Sequence, residues 1–407
     1  MSLGQTEPSG IDLGNIAAGL HFPVKVYSRL TQEYKTSSFV FSPCGLGASL
    51  CMLLAGAGGE TASQVLQLLQ LRTKEPSATS FHDFLVRLRN AVPSVRLRVA
   101  NMTYIDSSFH VKHNYLAFIQ KFYDASLRGL DFANFPRTAV DELNQRVERA
   151  VNAPSIVNPA SVTSQTQMVL VSDLQFHGVW DFHFVHEDIT KRAFTDVFGN
   201  TSQVDMMYAD GLHRTCSYPE LGVSAIELPY KQDVNTALVL IRPQELQGMS
   251  QLEANLTPDH LDNLLRRLST GKDPVCLTLP RFHLELTIEL SKTLSDLGAR
   301  NLFRPGAQLG GIADNKPLHL SQLVHRVTLK VDERGDSKAS ANTHNLDVIV
   351  PTATSGDHFA LDRPFLFLLV SWEPFAVLFM GAIKEAPDEI PNACTPNKAK
   401  SRNASLK

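Results

Sequence analysis

The chain has 407 residues, 43% of them hydrophobic and 19% charged, with a formal net charge of −3. That length supports a sizeable core, and so even a charge balance excludes the basic footprint of a nucleic-acid-binding protein. Its cysteines, Cys44, Cys51, Cys216, Cys276 and Cys394, form no CxxC pair and are odd in number, which argues against a disulfide framework or a zinc centre.

In chain order, residues 1–11 read as a disordered tail, and Met1 to Gly10 is too polar for the apolar core of a secretion signal. Thr61 is placed to cap a helix carrying Val65, Leu66, Leu68 and Leu69 on one side. A second helix is expected from Asn114 to Tyr123. Strands are expected at Met168–Val171, Ala237–Ile241 and Val275–Phe282. Helices early and strands late give an α+β class in one domain, residues 12–384. Phe365 to Ile383 is nearly long enough to span a bilayer, but Glu373-Pro374 interrupts it, so it reads as two buried strands joined by a turn. Residues 385–407 lose their large apolar side chains and read as a flexible extension.

The clearest single strand is His325 to Asp332. Val327, Leu329 and Val331 alternate with Arg326, Thr328, Lys330 and Asp332, a period of two that sends the first set inward. His325 and Glu333 share the inward parity, so each requires a buried partner. Beyond this strand, residues 335–360 hold small and polar side chains with no helical period and no turn signal. A connection that long is usually functional or disordered, and small β-tolerant side chains let such a segment add to a sheet.

Several blocks resemble those of the serpins, in the order in which that family uses them. They are Phe41-Ser42-Pro43, Gly58-Gly59-Glu60-Thr61, Val204-Asp205-Met206-Met207, Glu227-Leu228-Pro229-Tyr230, Leu279-Pro280-Arg281-Phe282, Leu297-Gly298, Asp362-Arg363-Pro364-Phe365-Leu366-Phe367 and Leu378-Phe379-Met380-Gly381. The last two are closest to the plasminogen-activator-inhibitor-like branch, clade E. The resemblance implies about nine helices and three β-sheets in a single domain. It also implies a reactive loop that enters the central sheet once cleaved, a strand addition known for this family. The implied activity is inhibition of a serine protease by a single-use substrate that holds it as a covalent acyl complex. The chain would then act as a monomer, without cofactor or metal, and would not itself be an enzyme.

Residue by residue, the resemblance places Trp180 where the loop first enters the sheet and His325 beneath the sheet. It pairs Arg281 with Glu333 as an ion pair at the top, and sets Ser42 on a buried helix below. It also marks departures. Ser172 stands where the family has an asparagine, and Arg146 where it has a tryptophan. Val151 to Pro159 lacks the usual Thr-x-Gly-x-Ile pattern.

Two registers are open for the hinge after Gly335. Aligned without gaps, Asp336 and Lys338 would be buried on insertion, which favours a non-inhibitory member carrying a ligand or acting as a chaperone. With Asp336 as an insertion, Ser337, Ala339, Ala341 and Thr343 take the buried sites and Lys338 faces solvent, because one residue of slip exchanges the faces. The second register favours inhibition and is the one adopted. The reactive bond falls at Ala353–Thr354 counted back from Asp362, or at Ile349–Val350 counted forward from the hinge. Neither offers Arg or Lys, so the target is expected to prefer small or apolar residues.

Asn101, Asn200, Asn255 and Asn403 head N-glycosylation triplets, which points to a secreted chain whose leader is absent here. Arg87, Arg89, Arg96 and Arg98 form a modest basic cluster, read as a solvated face with weak glycosaminoglycan binding as the functional option. Arg334-Gly335-Asp336 is explained by the hinge, and His183, His186 and Glu187 by surface packing rather than a metal.

Overall fold

The computed structural model describes residues 16–74, 82–83, 86, 95–153, 155–184, 189–231, 235–268, 271–333 and 357–388. Two continuous apolar runs set its centre. Phe365–Trp372 (β13) and Phe375–Ile383 (β14) pair antiparallel and are almost wholly buried, as uninterrupted apolar strands must be. Phe39–Phe41 (β1) borders β14, and on the other side follow Thr236–Pro243 (β8), Val223–Pro229 (β7) and the long Thr201–Tyr218 (β6). The second half of β6 pairs with β7. Its first half turns away to pair with Thr190–Thr195 (β5) and Asp273–Pro280 (β9), and β9 carries Asp357–Ala360 (β12). The nine strands therefore divide at β6 into two sheets.

The third sheet has five strands in the order Phe282–Glu289 (β10), Gln322–Val331 (β11), Met168–Gly178 (β4), Val95–Asp106 (β2) and Ser126–Leu130 (β3). At its middle, β11 and β4 run parallel, from Gln322 opposite Val169 to Leu329 opposite Phe176. Parallel neighbours are the arrangement between which a strand returning from the end of β11 fits antiparallel to both.

Eight α-helices lie among the described residues: Ile16–Leu30 (α1), Pro43–Gly56 (α2), Gly59–Leu69 (α3), His113–Tyr123 (α4), Pro136–Val151 (α5), Met249–Asn255 (α6), Pro258–Leu268 (α7) and Ser291–Asp296 (α8). Helix α2 is apolar around most of its circumference and is buried under the five-stranded sheet. Gly45 makes this possible, since a Cβ there would meet Leu174 Cδ1 at 2.2 Å. Helix α5 is amphipathic. It lays Val140, Leu143 and Val147 on the sheet's outer face, against Met102, Tyr104, Val169, Val171 and Val324.

Several expectations need correction. Helices dominate the first third as expected, but β2 adds a strand of twelve residues from Val95 that the sequence did not announce. Thr61 does not cap α3. Gly58 holds the cap position, while buried Thr61 accepts from the Gln308 amide N–H at 3.0 Å. The run expected as one strand, Val275–Phe282, breaks at Arg281 into β9 and β10, which belong to different sheets. Arg326 and Asp332 are buried although their parity points away from the inner core. The outer face is covered here as well, and alternation reports solvent only where one face is bare. No helix among the described residues is long and apolar enough to cross a membrane.

Candidate functional site

Four groups of side chains surround the β4–β11 seam. At its upper end the chain leaves β4 through Val179, and residues 179–181 pair with Pro229 and Lys231 by backbone hydrogen bonds of 3.0 and 2.7 Å. This pairing lays Trp180 flat on Tyr230, ring centroids 4.3 Å apart and planes 14° from parallel. The indole N–H donates to the Asp332 carbonyl at 2.8 Å. Trp180 thereby grips the residue that follows β11, just before the chain departs. Burial raises the Tyr230 phenol well above its ordinary pKa, with Asp332 adding to the shift. A bulkier residue than Gly178 would not fit there, since a Cβ would meet the Tyr230 ring at 2.5 Å.

Beside it, Arg281 Nε lies 3.1 Å from Glu333 Oε2, with only 5% and 3% of the two side chains exposed. The break between β9 and β10 puts Arg281 at this corner, and inward parity puts Glu333 there. The two opposite charges neutralise each other inside the fold.

Under the seam, Ser42 caps α2 by accepting from the Gly45 amide at 3.0 Å and donates to the Leu378 carbonyl of β14. The Ser42 amide donates to His325 Nε2 at 2.9 Å. His325 is fully buried, and burial lowers its pKa to about 3, so the ring is neutral and the bond from Ser42 fixes Nε2 as the acceptor. His325 stands opposite Ser172 on β4, and Ser172 opposite Asn101 on β2. These three polar residues form a row across adjacent strands on the inner face. His325 Nδ1, Ser172 Oγ and Asn101 Nδ2 have no hydrogen-bond partner among the described residues. Ser49 of α2 donates to Asn101 Oδ1 at the long distance of 3.5 Å. Asn101 is therefore not a glycosylation acceptor in the folded chain. It is 2% exposed, because its parity on β2 turns it inward. Asn200 and Asn255 are exposed, and Asn403 lies outside the described residues.

On the outer face, Arg326 of β11 donates to Asp173 of β4 at 2.7 Å and to Glu285 of β10 at 2.8 Å. Asp173 was missed from sequence. A lone carboxylate in the run Met168 to Leu174, apolar except for Ser172 beside it, was the available signal, since a charge there must find a partner.

The departures marked in the sequence have local compensations. Arg146 pairs with Glu142 one turn back at 2.6 Å, on the exposed side of α5. The segment after α5 is tied by Asn144, whose amide donates to the Val157 carbonyl at 2.8 Å and accepts from the Val157 N–H at 2.9 Å. Of the basic cluster, Arg96 and Arg98 are exposed and Arg98 donates to the Ala150 carbonyl, while Arg87 and Arg89 lie outside the described residues. His186 and Glu187 also lie outside them, and His183 is exposed. None of the four described cysteines forms a disulfide. Gly335, Ser337, Ala339, Ala341 and Thr343, with both expected reactive bonds, lie outside the described residues.

With this geometry in place, comparison with known proteins gives the family. Residues 17–386 match the family described as serpin (serine protease inhibitor). Iris of Ixodes ricinus is 34% identical over 370 residues, covering 90% of this chain and 97% of that protein. Leukocyte elastase inhibitor A of Mus musculus is 27% identical, covering 90% and 98%. Among solved structures, uncleaved ovalbumin superposes with a TM-score of 0.83 at 25% identity, covering 91% of this chain and 99% of that one. Human thyroxine-binding globulin, complexed with thyroxine, superposes at 0.80 and 23% identity, covering 93% and 99%, a likeness of fold alone. The chain belongs to the serpin family, the serine protease inhibitors.

Proposed function

We propose that this chain is a single-use trap for a serine protease that prefers small or apolar residues. One observation carries the reading: β4 and β11 are parallel neighbours, and the chain leaves the top of β11 at a buried, ion-paired Glu333. A segment leaving there can fold back between the two strands, while residues 334–356 first serve as bait. The protease serine attacks the carbonyl carbon of Ala353, and the bond to the Thr354 nitrogen breaks. The amine leaves with a proton, and Ala353 remains as an ester on the enzyme. Insertion of the freed segment then carries the enzyme away before water reaches that ester. Trp180, Arg281, Glu333, Ser42 and His325 hold the closed sheet that this step opens. The catalytic serine is the target's, so the chain needs no catalyst of its own.

We read the chain as secreted, supported by the exposed positions of Asn200 and Asn255. It acts as one copy per protease. Weak heparin affinity through Arg96 and neighbouring arginines would fall steeply with salt.

The test is incubation with elastase, chymotrypsin and trypsin, followed by denaturing gels. An SDS-stable complex is expected with an elastase-like enzyme and not with trypsin. Clean cleavage with no complex and no gain in thermal stability would favour the ligand carrier or chaperone that a buried Asp336 and Lys338 imply.

A further inference from the structure

The inner face of the seam carries the family's polar residues; the outer face carries charge. Asp173 is 0% exposed and sits on β4, the strand on one side of the opening. Its direct neighbour in register is Arg326 on β11, the strand on the other side. Arg326 Nη1 donates to Asp173 Oδ1 at 2.7 Å, with side chains 6% and 0% exposed. We propose that this ion pair is a releasable latch across the insertion seam, setting how readily the sheet accepts a new strand. The proposal rests on the strand-accepting reading above.

The argument starts from what the other seam contacts can do. Val324 with Val171, Val327 with Leu174 and Leu329 with Phe176 are apolar neighbours, and an incoming strand can replace such contacts with its own side chains. A directional ion pair has no such substitute. Entry of one strand takes β4 and β11 from neighbours at about 4.8 Å to next-but-one strands at about twice that separation. The guanidinium then has a strand between it and its carboxylate.

What makes the pair releasable is that each member holds a second partner on its own side. Arg326 Nη2 donates to Glu285 Oε1 of β10 at 2.8 Å, and β10 pairs with β11 along its whole length. Asp173 Oδ2 accepts from Gln175 Nε2 of its own strand at 3.1 Å, and the Arg98 charge on β2 also stabilises its ionised form. Opening therefore breaks the central contact and strands neither charge, whereas a pair without such partners would leave two bare buried ions. Gln175 and Arg98 also donate to the carbonyls of Val151 and Ala150, at the end of α5. The latch is thus joined to the helix that must yield when the outer face moves.

The test is annealing of a synthetic peptide copying residues 337–350 into the full-length protein, followed by native-gel shift and by the rise in Tm. Asp173→Asn keeps shape and removes the charge on one side of the latch, so annealing should be about tenfold faster than wild type. Glu285→Gln removes the partner that holds Arg326 after opening, and Glu285 is half exposed, so this variant folds. It should anneal more slowly than wild type. A merely structural role would loosen both variants and speed both. Equal rates in wild type and Asp173→Asn, or acceleration by Glu285→Gln, overturn the latch while leaving the trap intact. No annealing by any variant overturns the strand-accepting reading and the latch with it.

Discussion

The indole N–H of Trp180 donates to the Asp332 carbonyl at 2.8 Å while its ring lies on Tyr230. Two residues far apart in sequence thus fix the place where β11 ends. Trp180→Phe keeps an aromatic ring on Tyr230 but leaves a buried carbonyl without its donor. That should cost about 1–2 kcal/mol, read from urea unfolding with Trp372 as the remaining tryptophan. An unchanged midpoint would mean that the Asp332 carbonyl is satisfied some other way.

The Arg281–Glu333 pair should behave as a buried pair does. Arg281→Met or Glu333→Met alone takes the opposite charge away from a buried ion and should destabilise by about 3–5 kcal/mol, while the double variant recovers most of that loss. Strictly additive losses in the double variant would show that the two side chains act independently. In protease assays the single variants should also shift the balance between complex and cleaved product, because the pair anchors the start of the loop.

How much of this was legible in the sequence differs from one residue to the next. The inward parity of His325 and Glu333 was readable from Val327, Leu329 and Val331, and it demanded partners that the Ser42 amide and Arg281 supply. Parity could not say that the opposite face was covered as well, so Arg326 was read as an outward residue and Asp173 went unnoticed. Asn101 looked like a glycosylation acceptor because a three-residue pattern carries no information about which strand face it occupies. The break at Arg281 was hidden because Val275 to Pro280 is apolar except for Thr278, and the change of sheet is a tertiary decision.

Ser172 offers a gain of stability. It is buried between His325 and Asn101 in register, and its hydroxyl has no partner among the described residues. Ser172→Asn supplies a carbonyl oxygen for His325 Nδ1–H and an amide for the neighbouring strand. It should raise stability by about 1 kcal/mol and slow annealing of the loop peptide, since the added bonds cross the seam. A fall in Tm would mean that α2 packs too tightly beneath Ser172 for the larger side chain.

The acid response follows in largest part from two buried histidines. His325 is lowered from 6.5 to about 3, and His213 from 6.5 to about 4, both chiefly by burial. In the unfolded chain each binds a proton as pH falls through 6.5, while in the folded chain each stays neutral until its own depressed value is reached. Through that window the unfolded state holds more protons, so stability is full above pH 6.5 and declines as pH drops. By pH 5 each histidine should have cost about 2 kcal/mol. Asp173 and Glu253 are raised by burial and act in the opposite sense, gaining stability as pH falls. His325→Gln retains an acceptor for the Ser42 amide and cannot titrate there. Urea unfolding across this interval should show a shallower slope in that variant, with His213, His283 and His319, also lowered by burial, keeping their share. An identical slope would mean that His325 is protonated in the folded protein, and that the neutral acceptor beneath the seam is misassigned.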